Sequence, residues 1–211
     1  FTSRPLFTHM LENNFQLPED LLTLLPASLH GDCKHDHYKR HSRLFTIGQR
    51  PEWMFFVLAG EVTLERVGIQ GDPIVLQRTH HGFVSEASLQ SPTYHCDAHV
   101  ILPTHVVCIP VAALLRSLQQ DSAFALRWIG MCNREIRHLR LQCERMSLKT
   151  VQERLLHLIE TEGQAGLYDA SSGLKTLASE LGVTHEALYR TLASLEEEGR
   201  LSRSNRQLKL K

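Results

Sequence analysis

Several absences narrow the classes to which this chain can belong. No apolar run approaches the ~18 residues of a membrane-spanning helix, so no membrane partner is expected. Phe1-Thr2-Ser3-Arg4 lacks the basic, apolar and small-residue sections of a secretion signal. The numbering starts without Met, so the expectation is a cytoplasmic protein whose native start lies upstream. The five cysteines are odd in number and contain no Cys-x-x-Cys pair, which argues against a disulfide framework and a cysteine-based zinc knuckle. Net charge is also lacking: 23 Lys and Arg balance 23 Asp and Glu, which predicts modest non-specific affinity for any polyanion. No nucleophile–base signature, phosphate loop or paired-carboxylate motif stands out, so an enzyme is not expected.

What is present fits a globular chain of two small domains or one larger one, with 42% hydrophobic and 22% charged residues over 211 positions. Three segments are read. Residues 1–120 are rich in short strands: Phe55-Phe56-Val57-Leu58 meets Ala59-Gly60, Glu61 to Arg66 alternates, Gly71-Asp72-Pro73 marks a turn, and Ala98 to Ile109 is interrupted at Pro103-Thr104. Close spacing of such strands suggests a barrel or roll. Residues 121–146 read as one helix in which Ala125, Ile129, Cys132, Ile136, Leu139, Cys143 and Met146 step by four and three. That narrow seam, flanked by Arg134, Glu135, Arg137 and Arg140, suits a parallel dimer, and a long helix packed on its own domain is the plainer alternative. Residues 147–211 read as helices, a linker at Gly163–Gly173, and a terminal hairpin or wing.

The reader motif lies in this last segment. Leu174, Leu177, Ala178 and Leu181 make one apolar face, Gly182 follows where a tight turn wants positive φ, and Thr184 caps a second helix. The second helix offers His185, Glu186, Tyr189 and Arg190 outward, beside Thr184, Lys175 and Thr176. Arg can grip guanine O6 and N7, and Glu can accept from the cytosine amino group. A plain i,i+4 surface pair is the alternative for Glu186 and Arg190. Arg200, Arg203 and Arg206, with Lys209 and Lys211, form a basic strip without a carboxylate, suited to phosphates.

With these pieces in order, the chain resembles the cyclic-AMP receptor protein / fumarate-nitrate regulator (CRP/FNR) family of bacterial transcription factors. Leu44-Phe45-Thr46-Ile47-Gly48 resembles the family's strand entry, Phe55 to Val62 its strand–turn–strand, and Gly82 to Leu89 its effector-pocket segment. Glu186 and Arg190 match the family's base-reading pair. The resemblance implies an α+β fold: an N-terminal cyclic-nucleotide-binding-like β-roll, a long dimerisation helix and a C-terminal winged helix-turn-helix. It also implies a homodimer on a two-fold symmetric DNA operator, contact with RNA polymerase, and an effector pocket around Ser85, Glu86, Ala87, Ser88 and Thr93.

The sensor departs from the nucleotide-binding pattern. Ser85 stands in place of Gly, and Gln90-Ser91-Pro92-Thr93-Tyr94 lacks the Arg that neutralises the cyclic phosphate. Cyclic AMP is therefore not the expected effector. Haem or a transition metal is the next candidate, because Cys33, His35, His37 and His41 crowd together and His95, Asp97 and His99 alternate. On a strand those last three would share a face. A solvated polar surface, with residues 35–41 as an exposed basic loop, is the plainer alternative. Cys132 and Cys143 read as small core residues or, facing their dimer mates, as a redox cross-link. A regulator without an effector, or one sensing a small ligand in an altered pocket, stays open.

Overall fold

The computed structural model describes residues 16–69, 71, 73–170 and 173–211. The segment inspected for a secretion signal, Asp72 of the expected turn, and Ser171 and Ser172 of the expected linker lie outside them. The chain divides into two compact units, one ending at Trp128 and one running from Ile129 to Lys211. The boundary falls inside the long helix.

In the first unit, α1 (Glu19–Leu24) and α2 (Ala27–His30) each start directly after a proline held in extended backbone. The sheet contains β1 (Lys34–Tyr38), β2 (Arg43–Phe45), β3 (Trp53–Val67), β4 (Pro73–Thr79), β5 (Gly82–Phe83) and β6 (Asp97–Pro110). Its order is β1-β6-β3-β4, with β2 paired to β6 and β5 to β3, every pairing antiparallel. The core joins Phe45, Phe55, Val57, Val62, Val100 and Val106 to Tyr94, whose ring stacks on Phe45 at 3.8 Å and whose hydroxyl donates to Trp53 O at 2.8 Å. The helix α3 (Val111–Gln120) follows, then α4 (Ser122–Ser147). The first turns of α4 bury Phe124 and Trp128, and Phe83 meets Trp128 edge-on at 5.2 Å.

Two strand interruptions expected from the sequence are absent: β3 runs through Ala59-Gly60, and β6 runs through Pro103-Thr104. Register shifts at Val57/Ala59, Ala59/Glu61 and Glu61/Val62 absorb the irregularity without ending either strand. Gly60 makes this possible. At φ +104° it lets the strands approach so closely that a Cβ would lie 2.4 Å from Thr104 Oγ1. Residues 35–38, read as part of a basic loop, belong instead to strand β1, because β6 supplies the pairing partner.

In the second unit α4 runs on to Ser147. Next, α5 (Val151–Glu162) starts at a capping box: Thr150 accepts from Glu153 N–H, and the Glu153 carboxylate accepts from Thr150 N–H. The Thr150 N–H and hydroxyl that donate to it hold the Glu153 carboxyl below its ordinary pKa. The expected linker contains β7 (Leu167–Asp169), too short to carry a periodicity and defined by pairing with distant β9 (Gln207–Leu210). Between them lie α6 (Leu174–Glu180), α7 (His185–Glu197) and β8 (Leu201–Ser204). Leu155, Leu158, Leu177, Leu188, Leu192 and Leu208 are among the side chains of the second core. Among the described residues no helix is long and apolar enough to cross a membrane.

Candidate nucleic-acid interface

The geometry of α6, α7 and the turn between them follows from a few local choices. Leu177 and Ala178 are buried on α6, the small Ala178 leaving room where α7 crosses. Gly182 turns the chain at φ +64°, and the Thr184 hydroxyl accepts from Ala187 N–H at 3.1 Å to start α7. Leu188, Leu192 and Leu195 face the core, which leaves Glu186, Tyr189 and Arg190 exposed on the opposite face. His185 packs edge-on against Tyr189 with ring centroids 4.5 Å apart.

Beside this face the hairpin of β8 and β9 turns at Asn205-Arg206, both with positive φ (47° and 63°), the conformation of a tight two-residue hairpin. Between hairpin and helices lies an open groove of about 660 Å³ whose walls include Lys175, His185, Tyr189, Arg203, Asn205 and Arg206. No carboxylate lines it among the described residues. A cationic groove next to a protruding helix end can seat a phosphodiester backbone while that end reaches base edges.

The basic strip is less uniform than its sequence suggests. Arg203 is held by Glu196 through two hydrogen bonds of 3.2 and 2.8 Å and lies 5.9 Å from the Tyr189 ring centroid; Arg200 pairs with Glu198 at 3.3 Å. Those carboxylates lie on or just after α7, seven and two residues before the arginines they hold. Charge counting from Gly199 onward overlooks them. Arg190 and Arg206 are exposed and engaged in no ion pair among the described residues. Thr176 is half-buried on α6, and Thr184 and Lys175 are exposed.

Along the seam, Ile129, Ile136, Leu139 and Met146 are 53, 46, 45 and 36% exposed, Cys143 is exposed, and Ala125 and Cys132 are partly covered. Met146 also leans on its own unit, its sulfur 3.1 Å from where a Cβ on Gly182 would stand.

The effector segment is built differently from its expectation. Ser85 is buried, its hydroxyl accepting from Phe55 N–H at 3.1 Å and donating toward Met54 Sδ at 3.2 Å; Ser88 is buried with its Oγ 3.1 Å from His95 Nδ1. Neither hydroxyl is presented as a pocket wall. Only Glu86, Ala87 and Thr93 of this set have accessible surface of any size. Burial, with Asp97 beside it, raises the pKa of Cys96, which follows this segment.

The expected metal sets do not assemble: among the described residues no group of three or more His, Cys, Asp or Glu side chains is arranged to hold a metal ion. Cys33 donates its thiol to Leu29 O at 3.3 Å, and burial pushes that thiol up to about 11, away from a metal-binding thiolate. His41 sits in a turn with φ 68°. His35 and His37 share a face of β1, but their neighbour is His105 of β6, with His105 Nδ1 3.3 Å from His35 Nε2. Burial and the neighbouring His105 lower the His35 pKa. In the second set, His95 precedes β6 and turns to Ser88, Asp97 accepts from Ile47 N–H at 2.7 Å, and His99 stands 3.8 Å from Asp97. The alternation that would align all three does not begin until Asp97.

Residues 35–121 match the cyclic nucleotide-binding domain family. No curated protein matches the chain by sequence. Solved structures match nearly its whole length. FixK2 from Bradyrhizobium japonicum has a TM-score of 0.63 at 22% identity, covering 85% of this chain and 92% of its own. A CooA variant from Carboxydothermus hydrogenoformans has 0.64 at 16%, covering 93% and 92%. The c-di-GMP responsive regulator CLP from Xanthomonas campestris has 0.52 at 20%, covering 85% and 94%.

Proposed function

We propose that this chain, a cyclic nucleotide-binding domain joined to a helical unit in the fold of the CRP/FNR regulators, is a homodimeric, sequence-specific DNA-binding transcription regulator rather than an enzyme. The carrying observation is the exposed face of α7, Glu186, Tyr189 and Arg190, standing beside a groove walled by Lys175, Arg203 and Arg206. In this reading Arg190 and Glu186 read bases in the major groove, while the groove residues and the Thr184 end of α7 hold phosphates. The apolar stripe of α4 pairs with its copy, so the operator is two-fold symmetric. The partners are double-stranded DNA, a second copy of the chain and RNA polymerase, in a cytoplasmic setting.

The sensor is read as running on something other than a cyclic nucleotide. The short loop from Gln90 to Tyr94 carries no cation for the phosphate, and both serine hydroxyls of the segment are spent inside the core. Saturable binding of cyclic AMP in a calorimetric titration overturns this part.

The test of the main reading is Arg190→Ala on a DNA duplex selected from a random pool by the unmodified protein. Each lost bidentate base contact is worth about 1–3 kcal/mol, counted twice in a dimer, so operator affinity should fall by about thirtyfold or more. Binding to random duplex and thermal melting should hold. Unchanged operator affinity in a gel shift sinks the assignment.

A further inference from the structure

We propose that Arg154 is the positioning residue that seats the turn between α6 and α7 on the end of α4, and thereby sets the spacing at which a dimer presents its two recognition helices. This rests on the DNA-binding reading above. Arg154 lies half-buried on the first turn of α5, and its guanidinium donates to three backbone carbonyls. Nε reaches Leu148 O at 3.0 Å, Nη1 reaches Leu181 O at 3.0 Å, and Nη2 reaches Met146 O at 3.4 Å. Met146 belongs to the last turn of α4, Leu148 to the connection into α5, and Leu181 to the end of α6.

Carbonyls at helix ends lack intrahelical partners and carry the negative pole of the helix, so one cation shared among them satisfies several orphan acceptors at once. The acceptors diverge, and only a planar fork with donors in fixed directions meets all of them; an ammonium reaches fewer and fixes no plane.

A second contact reports the same joint. At Gly182, inside the turn, a Cβ would stand 3.1 Å from Met146 Sδ and 3.5 Å from Arg154 Nη1. The turn therefore rests directly on the Met146 side chain at the end of α4, which a Cβ here would crowd. A third fastening lies at the far end of α5, where buried Arg145 of α4 pairs with Glu162. With both ends of α5 tied to α4, the direction of α7 follows that of α4. A dimer reading half-sites about 34–36 Å apart depends on that direction, because a small tilt at the joint moves each recognition helix out of its groove.

The experiment uses the full chain and the selected operator in three forms: a duplex with both half-sites, a duplex with one, and a random duplex. Arg154→Lys and Arg154→Ala are compared with the unmodified protein by binding and by thermal melting. The expected result is a loss of about tenfold or more on the two-site duplex, with one-site affinity held within about twofold, because only bivalent engagement needs the spacing. Gly182→Ala, which crowds the joint and leaves the guanidinium and its donors in the chain, should give the same pattern and serves if Arg154→Ala fails to fold. Parallel losses on both duplexes, no loss on either, or Arg154→Lys binding as tightly as the unmodified protein overturns the proposal. If the unmodified protein itself does not prefer the two-site duplex over random DNA, the DNA-binding reading has failed and the joint falls with it.

Discussion

In the unit that ends at Trp128, several side chains with reactive groups are turned inward or already engaged. Ser85 and Ser88 are buried with their hydroxyls engaged, Cys33 is bonded to a backbone carbonyl, and Arg78 pairs with Glu61. In the unit that starts at Ile129, Glu186, Tyr189 and Arg190 stand in solvent, and a groove beside them carries cations without carboxylates. A buried hydroxyl or thiol with its hydrogen bonds made contributes stability and offers little to a ligand. An exposed cation held on a capped helix contributes little to stability and much to an anionic partner. The two units should thus answer mutation in opposite ways, one through folding and the other through binding.

The sharpest break comes at the stripe on α4. Ile136→Glu places a carboxylate on each side of the proposed seam, and burying such a charge without a partner costs several kcal/mol. Sedimentation should show monomer where the unmodified protein is dimer, with two-site operator binding lost and the melting of the β unit retained. A dimer that survives Ile136→Glu removes the seam assignment.

A smaller effect is expected inside the β unit. Ser85→Ala strips the buried Phe55 N–H of its acceptor, costing about 1–3 kcal/mol of stability. Chemical denaturation should report that loss while operator affinity stays put. A drop in affinity without a drop in stability would make Ser85 part of an effector device after all.

The smallest expected effect divides the basic strip. Arg206→Ala should weaken binding to every sequence and lower the salt slope by about one per subunit. Arg203→Ala should lower it less, because Glu196 already compensates that charge. Its loss should instead loosen Tyr189 and show on the selected operator. Equal slopes for the two variants would erase the distinction drawn from the ion pair.

The reader was legible because its signals are local. The Ala178 and Gly182 spacing, the Thr184 cap and the leucines of α7 all act within one or two turns of chain. The short β7 was missed since three residues carry no periodicity and only β9 defines them. The β unit was legible as strands but not as a site. The pairing of β1 with β6 brings His105 between His35 and His37 and leaves Cys33 and His41 out, which no spacing along the chain announces.

The amino-acid order alone therefore determined the helix pair around Gly182, the apolar stripe of α4 and the outward face of α7, because helix periodicity, capping and turn chemistry are short-range. Tertiary structure decided what each polar group could still do. It tied Arg203 to Glu196, spent Ser85 and Ser88 inside the core, dispersed the expected metal ligands, and gathered Met146, Leu148 and Leu181 around Arg154. Those outcomes depend on which distant segments pack together, and packing assigns each donor and acceptor its partner.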